Sequence, residues 1–142
     1  MSEKSDYENA ACFLAGDRFA RETGIELIDV SKGHAKVSMK IEEKHKNSHG
    51  TVHGGALFTL ADVTFAVASN SHGIPASAIN AHISYITAAK DGILTAEAWE
   101  FALNHKLASY TVTVTDENEN KIAIFQSMVY RKTPKPDASK IN

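Results

Sequence analysis

The sequence has little of what would stabilise a chain covalently or anchor it in a membrane. Cys12 is the only cysteine among 142 residues, so no disulfide bond can form within the chain. A lone thiol is typical of reducing compartments, and we predict a cytoplasmic location. No apolar run approaches the roughly 18 residues of a membrane-spanning helix, and the first residues lack the apolar core of a signal peptide. We therefore predict no membrane association.

The sequence also lacks a large excess of either positive or negative charge. The formal net charge is −2 and the pI is near 6.4. Acidic and basic residues are interspersed, which argues against a protein that binds nucleic acid through a basic surface. The basic stretch 131–136 is short, and we predict that residues 132–142 form a flexible, solvated tail.

Several motifs of catalysis and metal binding are absent. No Gly-x-Ser-x-Gly sequence occurs, which argues against a serine hydrolase. His45, His49 and His53 recur every four residues, but Gly50 makes this segment a poor helix, and neither a cysteine nor a His-Glu-x-x-His motif accompanies them. We therefore predict no metal site. Cys12 has no visible base partner, and we interpret it as a small apolar residue.

What the chain does have is enough apolar material for one core. Hydrophobic residues make up 43% of it, and we predict a single domain over residues 1–142 with its core at about 15–131. Apolar spacing predicts a short helix, two strands, a polar loop and a longer helix that is apolar on nearly every face. Four further strands complete the chain. The predicted elements are a helix over 5–15, strands from Ile25 and from Ala35, a loop over 42–53, a helix over about 54–71, and strands over 77–87, 93–103, 110–115 and 122–129.

This order of elements predicts an α+β fold. An antiparallel sheet that ends in a four-strand meander and wraps around one long central helix satisfies it. A helix enclosed in this way needs almost no polar face, in agreement with the composition of residues 54–71.

Asp62 is the exception within that apolar helix. A buried carboxylate is costly unless it is paired or hydrogen-bonded, and no Lys or Arg lies between Lys46 and Lys90. One interpretation is a general base or nucleophile whose pKa is shifted by burial. The other is a structural Asp that is hydrogen-bonded by Thr59 or Ser69.

The helix begins with His53-Gly54-Gly55, although glycine is unfavourable there by propensity. Two glycines permit close approach of other groups, and the first N–H groups of a helix lack intrahelical acceptors. Such a terminus can act as an oxyanion hole for a thioester carbonyl. A tight turn is the alternative interpretation.

The spacing between these two features carries a geometric consequence. Gly54 and Asp62 are eight residues apart, which is about 12 Å along a helix axis. One chain cannot bring both groups to the same thioester. If the pair is catalytic, the site requires two antiparallel helices from two subunits.

The run Asn47-Ser48-His49-Gly50-Thr51-Val52-His53-Gly54-Gly55-Ala56-Leu57-Phe58-Thr59-Leu60-Ala61-Asp62 resembles the phenylacetate-degradation (PaaI-type) hotdog thioesterases. Their pattern is an Asn, then His-Gly-Gly, then an Asp nine residues after the His in an Ala/Leu-rich helix. The resemblance implies the hotdog fold, a dimer or dimer of dimers, and hydrolysis of an acyl-CoA to a free acid and coenzyme A. No separate cofactor is implied, because coenzyme A is part of the substrate.

The resemblance also implies roles for individual residues. Asp62 would act as base or nucleophile, the Gly54 N–H as donor to the thioester oxygen, and Asn47 as a contact to the carbonyl or water, while His53 would organise the turn. A Ser or Thr that orients water in relatives is matched ambiguously by Ser77 or Asn80. The Arg-Pro-Ala run of many relatives is replaced after Tyr85, so phosphate contacts would come from Lys90, Lys106 or elsewhere. The expected substrate-binding residues are Gly55, Ser77, Asn80, Tyr85, Lys90 and Lys106.

Two rival functions are consistent with the same fold. A non-catalytic hotdog module would bind acyl-CoA without hydrolysing it, but the intact set of Asn47, Gly54 and Asp62 favours an enzyme. A hotdog dehydratase would need an Asp–His acid/base pair, and no such pair is evident from the sequence. The sequence does not indicate the acyl group.

Overall fold

A computed structural model describes residues 4–133. The N-terminal segment forms two short helices, each begun by a side-chain cap: the Ser5 hydroxyl accepts from the Glu8 N–H, and the Asp17 carboxylate from the Ala20 N–H. Gly24, at φ 89°, ends the second helix. The helices are α1 (Asp6–Ala15), α2 (Arg18–Thr23) and α3 (Gly54–Ser69), and the strands are β1 (Ile25–Ser31), β2 (His34–Lys40), β3 (Ala76–Tyr85), β4 (Ile93–Leu103), β5 (Leu107–Thr115) and β6 (Lys121–Arg131).

The six strands form one antiparallel sheet in the order β1-β2-β4-β5-β6-β3. The sheet wraps around α3, which contacts every strand, so the predicted hotdog fold is confirmed. The expected four-strand meander is wrong in one respect: β4, β5 and β6 are consecutive neighbours, whereas β3 lies on the far side of β6. The long connection 86–92 makes this crossover possible, and local sequence patterns do not report on it.

The central helix ends at Ser69, two residues earlier than predicted. Asn70 ends it because its side-chain amide donates to the Ala66 carbonyl at 2.9 Å, in place of a further helical turn. Most of α3 is buried, but one stripe of the helix remains partly open to solvent. That stripe contains Gly55, Thr59, Asp62 and Ala66.

The two edge strands of the sheet differ in how they are protected. The edge strand β1 carries the exposed charges of Glu26 and Asp29, and α1 lies against it. The edge strand β3 has no charged residue, and eight of its ten residues are exposed, among them Ile79 at 55%. A long, uncharged edge of this kind is a template for pairing with another chain.

The C-terminal end of the described chain is held against the fold. The Lys132 N–H donates to the Pro75 carbonyl at 2.8 Å, and the Thr133 hydroxyl lies 3.1 Å from the Nε2 atom of His105. The prediction of a flexible tail from residue 132 therefore needs correction at its first two residues. Residues 134–142 lie outside the described part of the chain. Within residues 4–133, no helix is long and apolar enough to cross a bilayer.

A partly buried polar cluster joins the turn after α3 to strands β4 and β5. The Glu100 carboxylate accepts from the Tyr110 hydroxyl at 2.6 Å and from the His72 ring at 2.7 Å. Burial, followed by the hydrogen bond to Glu100, raises the pKa of Tyr110, so its hydroxyl stays protonated and remains a donor. The cluster fixes the segment after α3 against β4 and β5.

Tyr110→Phe should lower the free energy of unfolding by about 2 kcal/mol, because a charge-assisted hydrogen bond inside the fold is lost. Urea denaturation followed by circular dichroism measures the change. Tyr130→Phe is a matched control, because that ring is 43% exposed and its change should stay within about 0.5 kcal/mol. Equal effects of the two changes would contradict a stabilising role for the cluster.

Candidate active site

The start of α3 is organised by His53. The Nδ1 atom of its ring accepts the Gly55 N–H at 2.8 Å and caps the helix. The N–H groups of Ala56 and Leu57 are bound by the His53 carbonyl. Within residues 4–133 the Gly54 N–H has no acceptor. One unpaired donor therefore remains at the positive end of the central helix.

Both glycines are favoured by close contacts rather than by an unusual backbone. Neither has a positive φ angle. A Cβ atom at Gly54 would lie 3.2 Å from the Tyr85 ring, and one at Gly55 would lie 3.0 Å from Nδ1 of His53. The Tyr85 hydroxyl also donates to the Gly54 carbonyl at 3.2 Å. Of the two interpretations from sequence, this arrangement favours an exposed donor over a tight turn.

A cavity of about 310 Å³ lies beside Gly54. It is smaller than a cavity of about 500 Å³ between α1 and the end of α3. Asn47 and Tyr85 line the smaller cavity together with Gly54, so the structure brings together these three predicted site residues. The segment 86–88 closes one side, and Val52 is held there because its N–H donates to the Ala89 carbonyl at 2.8 Å. Segment 86–88 is where the Arg-Pro-Ala run of many relatives is replaced, and its place in the cavity wall was not predicted.

The loop 42–53 is more ordered than its composition predicts. The Oδ1 atom of Asn47 accepts from the N–H groups of His49 at 2.9 Å and Thr51 at 3.2 Å, and its Nδ2 atom donates to the Thr51 hydroxyl at 3.0 Å. Asn47 thus shapes the loop with one carbonyl and one N–H, which leaves its second amide N–H for a ligand. Thr51 was missed from the sequence, although an Asn followed by a hydroxyl residue in a polar loop is typical of such local capping.

His45 does not take part in a ligand site. Its Nδ1 accepts from the Glu42 N–H at 2.9 Å, and its Nε2 lies 2.6 Å from the Thr23 carbonyl. This ring joins the loop to α2 and is 4% exposed. The four-residue spacing of histidines in this segment therefore reflects loop structure.

Asp62 lies half-buried on the open stripe of α3. The partners suggested for a structural Asp bind elsewhere: the Thr59 hydroxyl donates to the Gly55 carbonyl at 2.8 Å, and the Ser69 hydroxyl to the Ala66 carbonyl at 3.2 Å. Burial, and then the negative charge of Asp17, raises the pKa of Asp62 above 3.8. A carboxylate without such partners favours a chemical role over a structural one.

The remaining predicted residues are not all near Gly54. Ser77 is eight residues before Tyr85 in one strand, which is about 26 Å. Asn80 is engaged with β6, because its side-chain oxygen accepts from the Met128 N–H at 2.9 Å. Lys106 belongs to the turn between β4 and β5 and donates to the Thr133 carbonyl at 3.4 Å. Lys90 is exposed in the connection 86–92, whose residues 86–88 line the cavity.

The structure therefore separates the predicted site residues of one chain into two groups, which we call half-sites. The first comprises the helix start with Asn47, Gly54 and Tyr85, and the second comprises Asp62. Because α3 is unbroken from Gly54 to Ser69, the two halves stay about 12 Å apart along its axis.

An antiparallel sheet wrapped around one long central helix defines the class of hotdog-fold proteins. The chain belongs to the thioesterase superfamily, whose family model matches residues 49–123. It is 32% identical over 132 residues to the acyl-coenzyme A thioesterase PaaI of Escherichia coli, covering 92% of this chain and 94% of that protein. It is 42% identical over 106 residues to a putative esterase of Archaeoglobus fulgidus, covering 74% and 69%. The solved structure of the E. coli PaaI protein, from the phenylacetic acid degradation operon, superposes with a TM-score of 0.87 at 30% identity, covering 92% and 95% of the two chains.

Asp17→Asn should lower the pKa of Asp62 but leave it above 3.8, because burial is the larger cause of the shift. Asn also caps a helix, so α2 should persist. NMR titration of the Asp62 carboxyl carbon measures the pKa, and Glu26→Gln on the exposed edge strand is the charge-matched control. An unchanged pKa in Asp17→Asn would contradict the assigned cause.

The same shift fixes the sign of a stability effect. Because the folded chain holds the Asp62 proton more tightly than the unfolded chain, protonation of Asp62 favours folding. This contribution is complete below pH 3.8 and is lost as the pH rises through the raised pKa. In Asp17→Asn the pKa of Asp62 is raised less, so this stability should be lost over a narrower pH range above 3.8.

Proposed function

We propose that the protein hydrolyses acyl-CoA thioesters to a free acid and coenzyme A. The observation that carries the proposal is the Gly54 N–H, which has no acceptor within residues 4–133 and lies at a helix start beside a cavity. The relative that matches nearly the whole chain is an acyl-coenzyme A thioesterase. Thioester hydrolysis needs one donor for the carbonyl oxygen and one base for water, and the chain carries both.

In this proposal the Gly54 N–H binds the thioester oxygen. Asp62 takes a proton from water, the resulting hydroxide attacks the carbonyl carbon, and the negative charge that develops on the oxygen is stabilised by the N–H and the helix dipole. Collapse of the intermediate breaks the C–S bond, and the thiolate of coenzyme A leaves and is protonated. A direct attack by the Asp62 carboxylate is the alternative first step. The free N–H of Asn47 assists at the carbonyl or water.

We further propose that the site is shared between two copies of the chain. The edge strand β3 is ten residues long, uncharged and exposed, so two copies can pair through it in antiparallel fashion. A two-fold axis through that pairing reverses the central helix as well, and thereby brings the partner's Asp62 towards Gly54. It also brings the start of the partner's β3, with Ser77 or Asn80, towards Tyr85.

Further surface residues are candidates for contacts to coenzyme A and for an interface between dimers. Lys90 is exposed beside the cavity and is our candidate for a phosphate contact, with the partner's Lys106 as the second. The outer face of the sheet exposes Trp99 and Phe101 at 56% and 63%, which favours a dimer of dimers over an isolated dimer. We retain the predicted cytoplasmic location as part of this proposal.

Asp62→Asn should lower kcat for thiol release from acyl-CoA by about 10²–10⁴, the contribution of a general base. The fold should persist, because Asn has the same shape and removes a desolvated charge. The assay follows free thiol with a thiol reagent over a panel of acyl-CoAs, and Glu26→Gln serves as the control with the same loss of charge. A folded Asp62→Asn protein with wild-type turnover would exclude Asp62 as the base, and binding of acyl-CoA without any turnover would favour the non-catalytic module.

The shared site is tested by complementation. Asp62→Asn chains and Gly54→Val chains are each expected to be inactive, the latter because the added side chain meets the Tyr85 ring. Refolded together, half of the dimers are mixed and each has one intact site, so about a quarter of the wild-type rate should return. Asp62→Asn chains mixed with chains that carry both changes are the control, since they form no intact site. Confirmed mixed dimers without activity would refute the shared site.

A further inference from the structure

A second cavity of the described chain lies between α1 and the end of α3, away from Gly54. Its volume is about 500 Å³, within the range of roughly 300–1,000 Å³ that pockets for small ligands occupy. The surface that lines it is mainly apolar, and neither half-site includes its residues. The apolar ones are Ala10, Phe13, Val67, Ile74 and Pro75, and the polar ones are Asp6, Asn9, Asn70 and Ser71, together with Gly73.

Two of the polar residues in the lining are already hydrogen-bonded within the fold. Asn70 donates to the Ala66 carbonyl and accepts from the Ala76 N–H, at 2.9 and 3.1 Å. Ser71 donates to the Ala68 carbonyl at 2.6 Å and accepts from the Gly33 N–H at 2.8 Å. The cavity therefore offers a ligand mainly apolar surface, and Asp6 is the one charged residue in its lining.

Two elements lead from the cavity towards Asp62. Val67 and Asn70 follow Asp62 on α3 by five and eight residues, or about 8 and 12 Å along the axis. The second element is the N-terminal segment, in which Phe13 lines the cavity. The next residue, Leu14, accepts the Asp17 N–H with its carbonyl at 2.9 Å. Asp17 is the residue whose charge acts on Asp62.

The proposed dimer places the thioester at the near end of this cavity. Ile74 and Pro75 form part of its wall and immediately precede β3. When β3 pairs antiparallel with its copy, the start of one strand lies beside the end of the other, where the partner's Tyr85 and Gly54 bind the thioester. An acyl chain whose carbonyl carbon lies at Asp62 then has this cavity on its far side.

We propose that the cavity between α1 and α3 binds the acyl group of the substrate and selects apolar acyl groups of medium length. The inference rests on the proposed thioesterase function. A terminal carboxylate on the acyl group is disfavoured, because it would lose its hydration against apolar walls and meet the charge of Asp6. Specificity thus resides in the N-terminal helix of the chain that supplies Asp62.

The test measures kcat/KM for acetyl-, butyryl-, hexanoyl-, octanoyl- and succinyl-CoA. In the wild type each added methylene should raise kcat/KM about fourfold until the cavity is filled, and succinyl-CoA should react at least tenfold more slowly than butyryl-CoA. Asn9→Trp fills the cavity from its exposed wall, so the octanoyl-to-butyryl ratio should fall at least tenfold. Glu8→Trp adds the same bulk to the opposite face of α1 and should keep the wild-type ratio.

Phe13→Ala, which shortens a half-exposed side chain of the lining, carries the test if Asn9→Trp does not fold. It should move the preferred acyl group to greater length. Turnover with the same length profile in wild type, Asn9→Trp and Phe13→Ala would overturn the acyl cavity while leaving the thioesterase intact. No thiol release from any acyl-CoA by the wild type would instead overturn the proposed function and the acyl cavity with it.

Discussion

The contact that the rest of the site depends on is the approach of two rings to the start of α3. The Tyr85 ring lies against Gly54 and the His53 ring against Gly55, each so close that a Cβ atom would be crowded. His53 then uses the Gly55 N–H for its cap and leaves the Gly54 N–H unpaired. Two glycines, unfavourable in a helix, are retained because they allow one donor to face the cavity with its acceptor position open.

An open donor on a rigid helix also dictates where the base can lie. On the continuous helix α3, Asp62 lies about 12 Å along the axis from Gly54 and cannot reach a ligand bound at its own helix start. The uncharged edge strand β3 resolves this conflict, since pairing of two copies through it would reverse the helix and supply the base from outside. The proposed catalytic geometry therefore depends on the exposed edge strand, because Asp62 lies too far from Gly54 within one chain.

Much of this arrangement is readable from the sequence, and the limits have physical causes. The sheet around a central helix and the bounds of β4 followed from apolar periodicity, and the meeting of Asn47 and Gly54 at one cavity followed from a local motif. The catalytic role of Asp62 stays a prediction. The position of β3 beside β6 was missed, because strand order depends on a crossover and not on local pattern. The role of Thr51 was missed because side-chain caps in a loop depend on its three-dimensional path. Lys106 was proposed as a phosphate contact because of its charge, but its charge does not indicate how far it lies from Gly54.

The open stripe of α3 connects the chemistry to the assembly. Its members beside Asp62 are Gly55, Thr59 and Ala66, which are small, and the Thr59 hydroxyl is turned back onto the helix at 2.8 Å from the Gly55 carbonyl. Small residues let a second helix approach closely, so dimerisation would remove water from Asp62. Loss of water disfavours the charged form, and the pKa of Asp62, already raised in the single chain, would rise further. Assembly would then do more than bring the base to the thioester, because it would also make that base stronger.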